Sequence, residues 1–181
     1  AYIDYWAKIR NPYVITFSPD GNCKVEDIPL ILNKLREGND MVIASRYFEN
    51  AQSEDDSWLT GFGNWMFTRA INLCHGGHYS DAMTIFRGYK TRLFYDLGLD
   101  RDDTYEPEKW FGTIMGIEPV LSIRAAKAGL KCADIPSDEP KRLFGHRKLQ
   151  VFRWGAAYLS QVVRETYFHR KFEVKSVAQP V

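Results

Sequence analysis

The sequence predicts an α/β protein built on a mostly parallel sheet flanked by helices, and three neighbouring segments carry that prediction. Tyr13 to Phe17 (YVITF) and Asp40 to Ser45 (DMVIAS) are short, continuous apolar runs with β-branched residues, as strands buried on both faces require. Between them Val25, Ile28, Ile31, Leu32 and Leu35 recur at helical spacing, and Gly38 ends that helix. A strand, a helix and a second buried strand form the unit from which parallel sheets are assembled.

The other elements follow in order. Ala1 to Arg10 reads as the end of a helix that Asn11-Pro12 breaks. A polar loop, Glu49 to Ser57, leads into a helix from about Trp58 to Leu73, and Gly76-Gly77 interrupts the chain before a strand-like stretch, Thr84 to Tyr89. The acidic segment Asp100 to Glu108 reads as a loop. A helix from about Glu118 to Ala128 follows, capped by Gly129, and Lys131 to Ile135 returns as a strand. The last helix runs from near Lys148 to about Tyr167. Its stripe of Leu149, Phe152, Ala156, Leu159 and Val163 is expected to pack on the domain. Val151, Trp154, Tyr158 and Val162 lie off that stripe, near Arg147, Arg153 and Arg164. Residues 1–171 read as one domain and 172–181 as a flexible tail. A doubly wound nucleotide-binding sheet starts on a strand, whereas this sequence starts on a helix. The expectation is therefore that an N-terminal part is missing and that 1–171 is the C-terminal two-thirds of a domain.

Composition narrows the classes. With 45% hydrophobic and 14% aromatic residues, the 181-residue chain is globular rather than disordered. No apolar run approaches the roughly 20 residues of a membrane-spanning helix, and the first residues do not form a signal peptide. Cys23, Cys74 and Cys132 are odd in number and far apart, without metal-finger spacing, which points to reduced thiols and a cytoplasmic setting. His75, His78, His146 and His169 have no ligand spacing either. The net charge of +1 hides a basic, aromatic C-terminal segment: from Lys141 to Lys171 about eight Lys or Arg accompany the single Glu165. Such a segment suits phosphate or a membrane surface, and residues 147–168 are the expected peripheral contact with the inner membrane face. Packing of its aromatic and apolar residues against the sheet, or against a second copy of the chain, is the equal alternative. Nucleic acid is not expected, since no recognised motif accompanies the basic residues.

Chemistry concentrates where strands end. Ser18-Pro19-Asp20-Gly21-Asn22 follows the first strand, at the edge where open α/β sheets bind ligands. Its turn aims the Asp20 carboxylate and the Asn22 amide in one direction, a donor set suited to Mg²⁺ or Mn²⁺; taken alone such a motif is usually only a turn. Arg46 ends the second strand, Asp81 precedes Thr84-Ile85-Phe86-Arg87, and Lys141 to Lys148 (KRLFGHRK) is a basic loop after the last strand. Arginines recurring at strand ends favour a phosphate-handling cleft.

These segments together resemble family 2 glycosyltransferases of the GT-A (Rossmann-like) fold, most of all dolichyl- and polyprenyl-phosphate sugar synthases. The resemblance covers about Tyr13 to Leu149 and rests on YVITFSPDGN, DMVIASRY, Asn64, SDAMTIFRGYK, AGLKCADIP and KRLFGHRKL. It implies a metal motif of Asp-x-Asp with a further polar ligand, in which Asp20 matches the second aspartate and Asn22 the extra ligand. Ser18 stands where the first aspartate belongs. It places Asp20, Asp81 and Arg87 in the catalytic set, with Arg46 and Arg87 on acceptor or donor phosphate. Asp81 would shape the acceptor side or orient Arg87 by an ion pair. Arg142, Arg147 and Lys148 match a basic loop that closes over the diphosphate, and Glu118 matches an acidic residue of the penultimate helix or is simply a helix N-terminal carboxylate. The implied activity is inverting transfer of a hexose from a nucleotide-sugar donor to a polyprenyl-phosphate-like acceptor. A saccharide acceptor in surface-polysaccharide synthesis, or a degenerate module that only binds nucleotide or glycan, are the alternatives.

Overall fold

Met41–Ser45, the most continuously apolar of the predicted strands, is buried at every position and forms the centre of the sheet. The computed structural model describes residues 6–143 and 151–167. Within them lie β1 (Tyr13–Thr16), α1 (Ile28–Arg36), β2 (Met41–Ser45), α2 (Trp58–His75), β3 (Arg87–Lys90) and α3 (Leu93–Asp96). They are followed by α4 (Glu106–Phe111), α5 (Glu118–Lys127), β4 (Cys132–Pro136) and α6 (Val151–Tyr167). Side chains of β2 alternate between two cores. Met41 and Ile43 join Trp6, Ile71, Tyr89, Leu121 and Val162 on one face. Val42 and Ala44 join Ile31, Leu35, Phe86 and Ile135 on the other. A strand covered on both sides needs apolar residues at consecutive positions, which is why DMVIAS lacks polar alternation.

The sheet is smaller and more mixed than expected. Its order is β1-β3-β2-β4, with β3 antiparallel to both β1 and β2, so that β2–β4 is its parallel pair. The predicted β1–α1–β2 unit is present, but its two strands are separated by β3 rather than adjacent. Gly88 explains how the insertion is tolerated: a Cβ there would collide with Ile31 Cγ2 and lie 3.0 Å from Leu35 Cδ1. Without a side chain, β3 lets α1 settle directly onto the sheet. Since β1, β2 and β4 still run the same way, their C-terminal ends share one edge. Helices on both faces of such a sheet are consistent with a GT-A-like arrangement.

Two further expectations change. The segment read as an acidic loop contains a 3-10 turn, Asp102–Tyr105, and then α4. More consequentially, α6 presents the opposite face to that predicted. Phe152, Leu159 and Val163 of the expected packing stripe are exposed, whereas Ala157, Gln161, Val162 and Glu165 are buried and Tyr158 meets Phe67 edge-on. The cause is polar. Arg124 of α5, itself buried, donates to Glu165 at 2.7 Å and to the Leu97 carbonyl at 2.7 Å, and Lys127 donates to the Glu165 carbonyl at 2.6 Å. A charge pair buried this deeply fixes the helix rotation, because turning Glu165 to solvent would leave the buried Arg124 charge without its carboxylate. Among the described residues no helix is long and apolar enough to cross a membrane.

Candidate functional site

The turn after β1 is built by Gly21 and closed by the chain that follows β4. Gly21 adopts φ +82°, and a Cβ there would lie 3.0 Å from the Leu143 side chain, so glycine meets both a conformational and a spatial demand. The Leu143 N–H donates to the Asp20 carbonyl at 2.9 Å, pinning the basic segment onto the turn. Asp20 then receives the Ser18 hydroxyl on one oxygen and Arg142 Nη1 on the other at 3.4 Å. Arg142 also binds Asp55 through Nη2 at 2.7 Å. The bond to Asp55 is the main reason its guanidinium is held above the usual value.

At the end of β2, Arg46 is the hub. Nε and Nη2 bind the two oxygens of Asp81 at 2.7 and 3.1 Å, and Nη1 faces Glu139 at 3.3 Å and Asp56 at 3.4 Å. Burial alone would lower the Arg46 pKa, but the charge and hydrogen bonds of Asp81, joined by Glu139, raise it well above its ordinary value. Asp81 is fully buried and also accepts the Met83 and Thr84 N–H groups at 3.3 and 3.2 Å, which fixes its carboxylate before any ligand arrives. Glu139 accepts from Asn22 Nδ2 at 2.9 Å and from the Ser53 hydroxyl. Burial lifts its carboxyl above the ordinary range even though Arg46 and Ser53 pull it down.

The structure therefore brings Asp20, Asn22, Arg46, Asp81 and Arg142 together, and adds Asp55, Asp56 and Glu139. It does not bring Arg87. That side chain is fully buried, with Nε on the Thr84 carbonyl at 2.8 Å, Nη1 on Ser122 Oγ at 2.9 Å and Nη2 on the Ala82 carbonyl at 3.1 Å. Its pKa is lowered by burial, against the opposing charges of Glu118 and Asp81. Arg87 holds β3, the Ala82–Thr84 turn and α5 together. It is a core arginine where a phosphate ligand was expected, and Asp81 pairs with Arg46 where an ion pair to Arg87 was an option. Arg147 and Lys148 lie outside the described residues, as do His146, His169 and the tail.

Five carboxylates surround two guanidiniums in this cleft. Neither arginine is positioned as a free phosphate donor, so an added diphosphate would meet net negative charge unless a cation came with it. Among the described residues no group of three or more His, Cys, Asp or Glu is arranged to hold a metal by itself. The available oxygens are the Asp20 carboxylate, the Ser18 hydroxyl and the Asn22 amide. That set fits a hard cation that completes its shell with phosphate and water, as Mg²⁺ commonly does. A cavity of about 280 Å³ lies elsewhere, lined by residues including Gly77, Tyr79, Leu130, Cys132 and Asp134. It has none of the convergent charge of the cleft. Its Asp134 carboxylate is occupied by Ser80 N–H at 2.6 Å and Ser80 Oγ at 2.5 Å.

The chain matches no protein-family model. It is, however, 29% identical over 129 residues to the protein named glycosyltransferase AglJ of Haloferax volcanii, a match covering 71% of this chain and 39% of that one. It is 28% identical over 153 residues to a dolichyl-phosphate hexose transferase of the same organism, covering 84% of this chain and 60% of the relative. The resemblance to glycosyltransferases is borne out. The chain spans 39% and 60% of the lengths of these two relatives. For a glycosyltransferase-like cleft, the three carboxylates that sequence reasoning missed had a weak signal. Glu139 lies three residues beyond the end of β4, on the edge that the C-terminal ends of β1, β2 and β4 share, and Asp55-Asp56 directly precede Ser57, the N-cap of α2.

Proposed function

We propose that the protein transfers a hexose, with inversion, from a nucleotide-sugar donor to a polyprenyl-phosphate-like acceptor, using Mg²⁺ or Mn²⁺ at Asp20 and Asn22. The observation that carries this is the Asp20 turn: a partly exposed carboxylate at the ligand-binding edge already holds one cationic group, Arg142, in a cleft of net negative charge. A bound cation would supply Lewis-acid neutralisation of the charge that develops on the leaving diphosphate. Asp20 and Asn22 would hold that cation, with the Ser18 hydroxyl fixing the carboxylate. Arg142, released from Asp20 and Asp55, turns its planar fork to phosphate oxygens. Asp81 keeps Arg46 oriented toward the same cleft. A phosphate acceptor is already anionic at neutral pH and needs little general-base help, which agrees with a cleft whose carboxylates are engaged by arginine.

A lipid acceptor is favoured over a saccharide by the surface beside the cleft. On α2, Trp58, Phe62 and Trp65 form an exposed stack with ring centroids 6.1 and 5.8 Å apart, beginning two residues after Asp56. Tryptophans clustered in this way suit a membrane–water interface. The test is incubation of the protein with radiolabelled UDP- and GDP-hexoses, Mn²⁺ and vesicles containing polyprenyl phosphate. The expected outcome is label in the organic phase that requires Mn²⁺ and disappears in Asp20→Ala. Transfer to saccharide with none to lipid would replace the acceptor, and nucleotide binding without turnover would identify a degenerate module.

A further inference from the structure

Glu139 touches both halves of the cleft. Its Oε1 accepts from Asn22 Nδ2 at 2.9 Å, while its Oε2 faces Arg46 Nη1 at 3.3 Å and accepts from Ser53. Its own position is set by backbone: Glu139 N–H donates to the Gln52 carbonyl at 2.9 Å, and Glu54 N–H donates to the Glu139 carbonyl at 2.8 Å. The backbone that carries this side chain is thus anchored independently of Asn22 and Arg46. A carboxylate accepts but does not donate, so the Asn22 atom turned toward it is the amide nitrogen. The Asn22 oxygen consequently points away from Glu139, where its neighbour is a weak donor, the Cys23 thiol at 3.8 Å. Asn22 is only 6% exposed, so its amide has little room to turn over.

We propose that Glu139 is a positioning residue, which orients the Asn22 amide so that Oδ1 serves as an oxygen ligand beside Asp20 and ties that orientation to Arg46. This rests on the metal reading of Asp20 and Asn22 above. An uncharged amide is an indifferent ligand unless its orientation is fixed, and partners that fix a ligand commonly affect metal affinity by about 10–100-fold. The role differs from a loop tether. A tether would be felt in folding, whereas a positioning residue is felt in cation affinity and only while Asn22 is present.

The experiment is a double-mutant cycle read by the free Mn²⁺ signal in electron paramagnetic resonance, with UDP and GDP present in turn. The proteins are the wild type, Asn22→Ala, Glu139→Gln and the double variant, each also melted without metal. In Glu139→Gln the guanidinium of Arg46 claims the amide carbonyl, which turns the amide nitrogen toward Asn22 and meets its Nδ2 with a donor where an acceptor stood. Expected are a weakening of roughly tenfold or more in Glu139→Gln, a similar weakening in Asn22→Ala, no further loss in the double variant, and melting close to wild type. Wild-type affinity in Glu139→Gln would overturn the inference, as would losses that add in the double variant or that track a fall in metal-free melting. Absence of Mn²⁺ binding in the wild type would overturn the metal reading itself, a result distinct from the other three.

Discussion

At the scale of single residues, the arginines separate by what surrounds them. Arg46 and Arg142 lie at strand ends among carboxylates, whereas Arg87 is sealed into the core with its donors on Ala82, Thr84, Glu118 and Ser122. Replacing Arg87 by Met should leave several buried acceptors unsatisfied and cost roughly 3 kcal/mol or more of stability. Nucleotide affinity per folded molecule should stay unchanged; chemical denaturation alongside calorimetry checks both. A stable Arg87→Met protein that had lost nucleotide binding would restore the phosphate role expected from sequence. The structure places Arg87 away from the cleft, and sequence could not show this for a physical reason. An arginine at a strand end looks the same in sequence whether its side chain turns to the cleft or to the helix behind it. Asp20, Asn22, Arg46 and Asp81 were legible because turn residues and strand termini locate them, while Glu139 was not, since its contacts with Asn22 and Arg46 span 117 and 93 residues of sequence.

At the scale of elements, the strands and α1, α2 and α5 were legible to within a few residues, because each is set by local apolar spacing and by breakers such as Gly38 and Gly129. Pairing and rotation were not. The antiparallel insertion of β3 depends on Gly88 lying under Ile31, and the face of α6 depends on Arg124 meeting Glu165; neither contact has a local sequence signature. The α2–α6 contact carries a pH prediction. His75, at the end of α2, is buried with Nε2 lacking a partner. Burial, reinforced by Lys127, lowers its pKa below the usual 6.5, against a hydrogen bond to the Val162 backbone and the charge of Glu165. The folded state thus prefers neutral imidazole. Its contribution to stability is present above the unfolded value of 6.5 and is lost as pH falls through the lower folded value. Melting temperature should therefore fall less in His75→Gln than in the wild type between about pH 7.5 and about pH 5. Parallel curves for the two proteins would show that His75 does not carry this dependence.

For the whole molecule, charge and apolar surface are arranged around one edge of the sheet. The C-terminal ends of β1, β2 and β4 gather an acidic cleft, and α2 begins beside it with three stacked, exposed aromatic side chains. Exposed Phe152, Leu159 and Val163 on α6 add a second apolar face within the 147–168 segment expected to meet a membrane. An anionic, two-part substrate with a charged head and an apolar tail suits this distribution better than a neutral saccharide, provided a cation accompanies the phosphates. The central claim is that cation dependence. It is tested most directly by calorimetric titration of the protein with UDP and with GDP, with and without Mn²⁺, beside Asp20→Ala. Binding of one nucleotide that requires Mn²⁺ and is abolished in Asp20→Ala is the predicted result. Equal binding with and without Mn²⁺, or full binding in Asp20→Ala, would contradict a metal–diphosphate site at the end of β1.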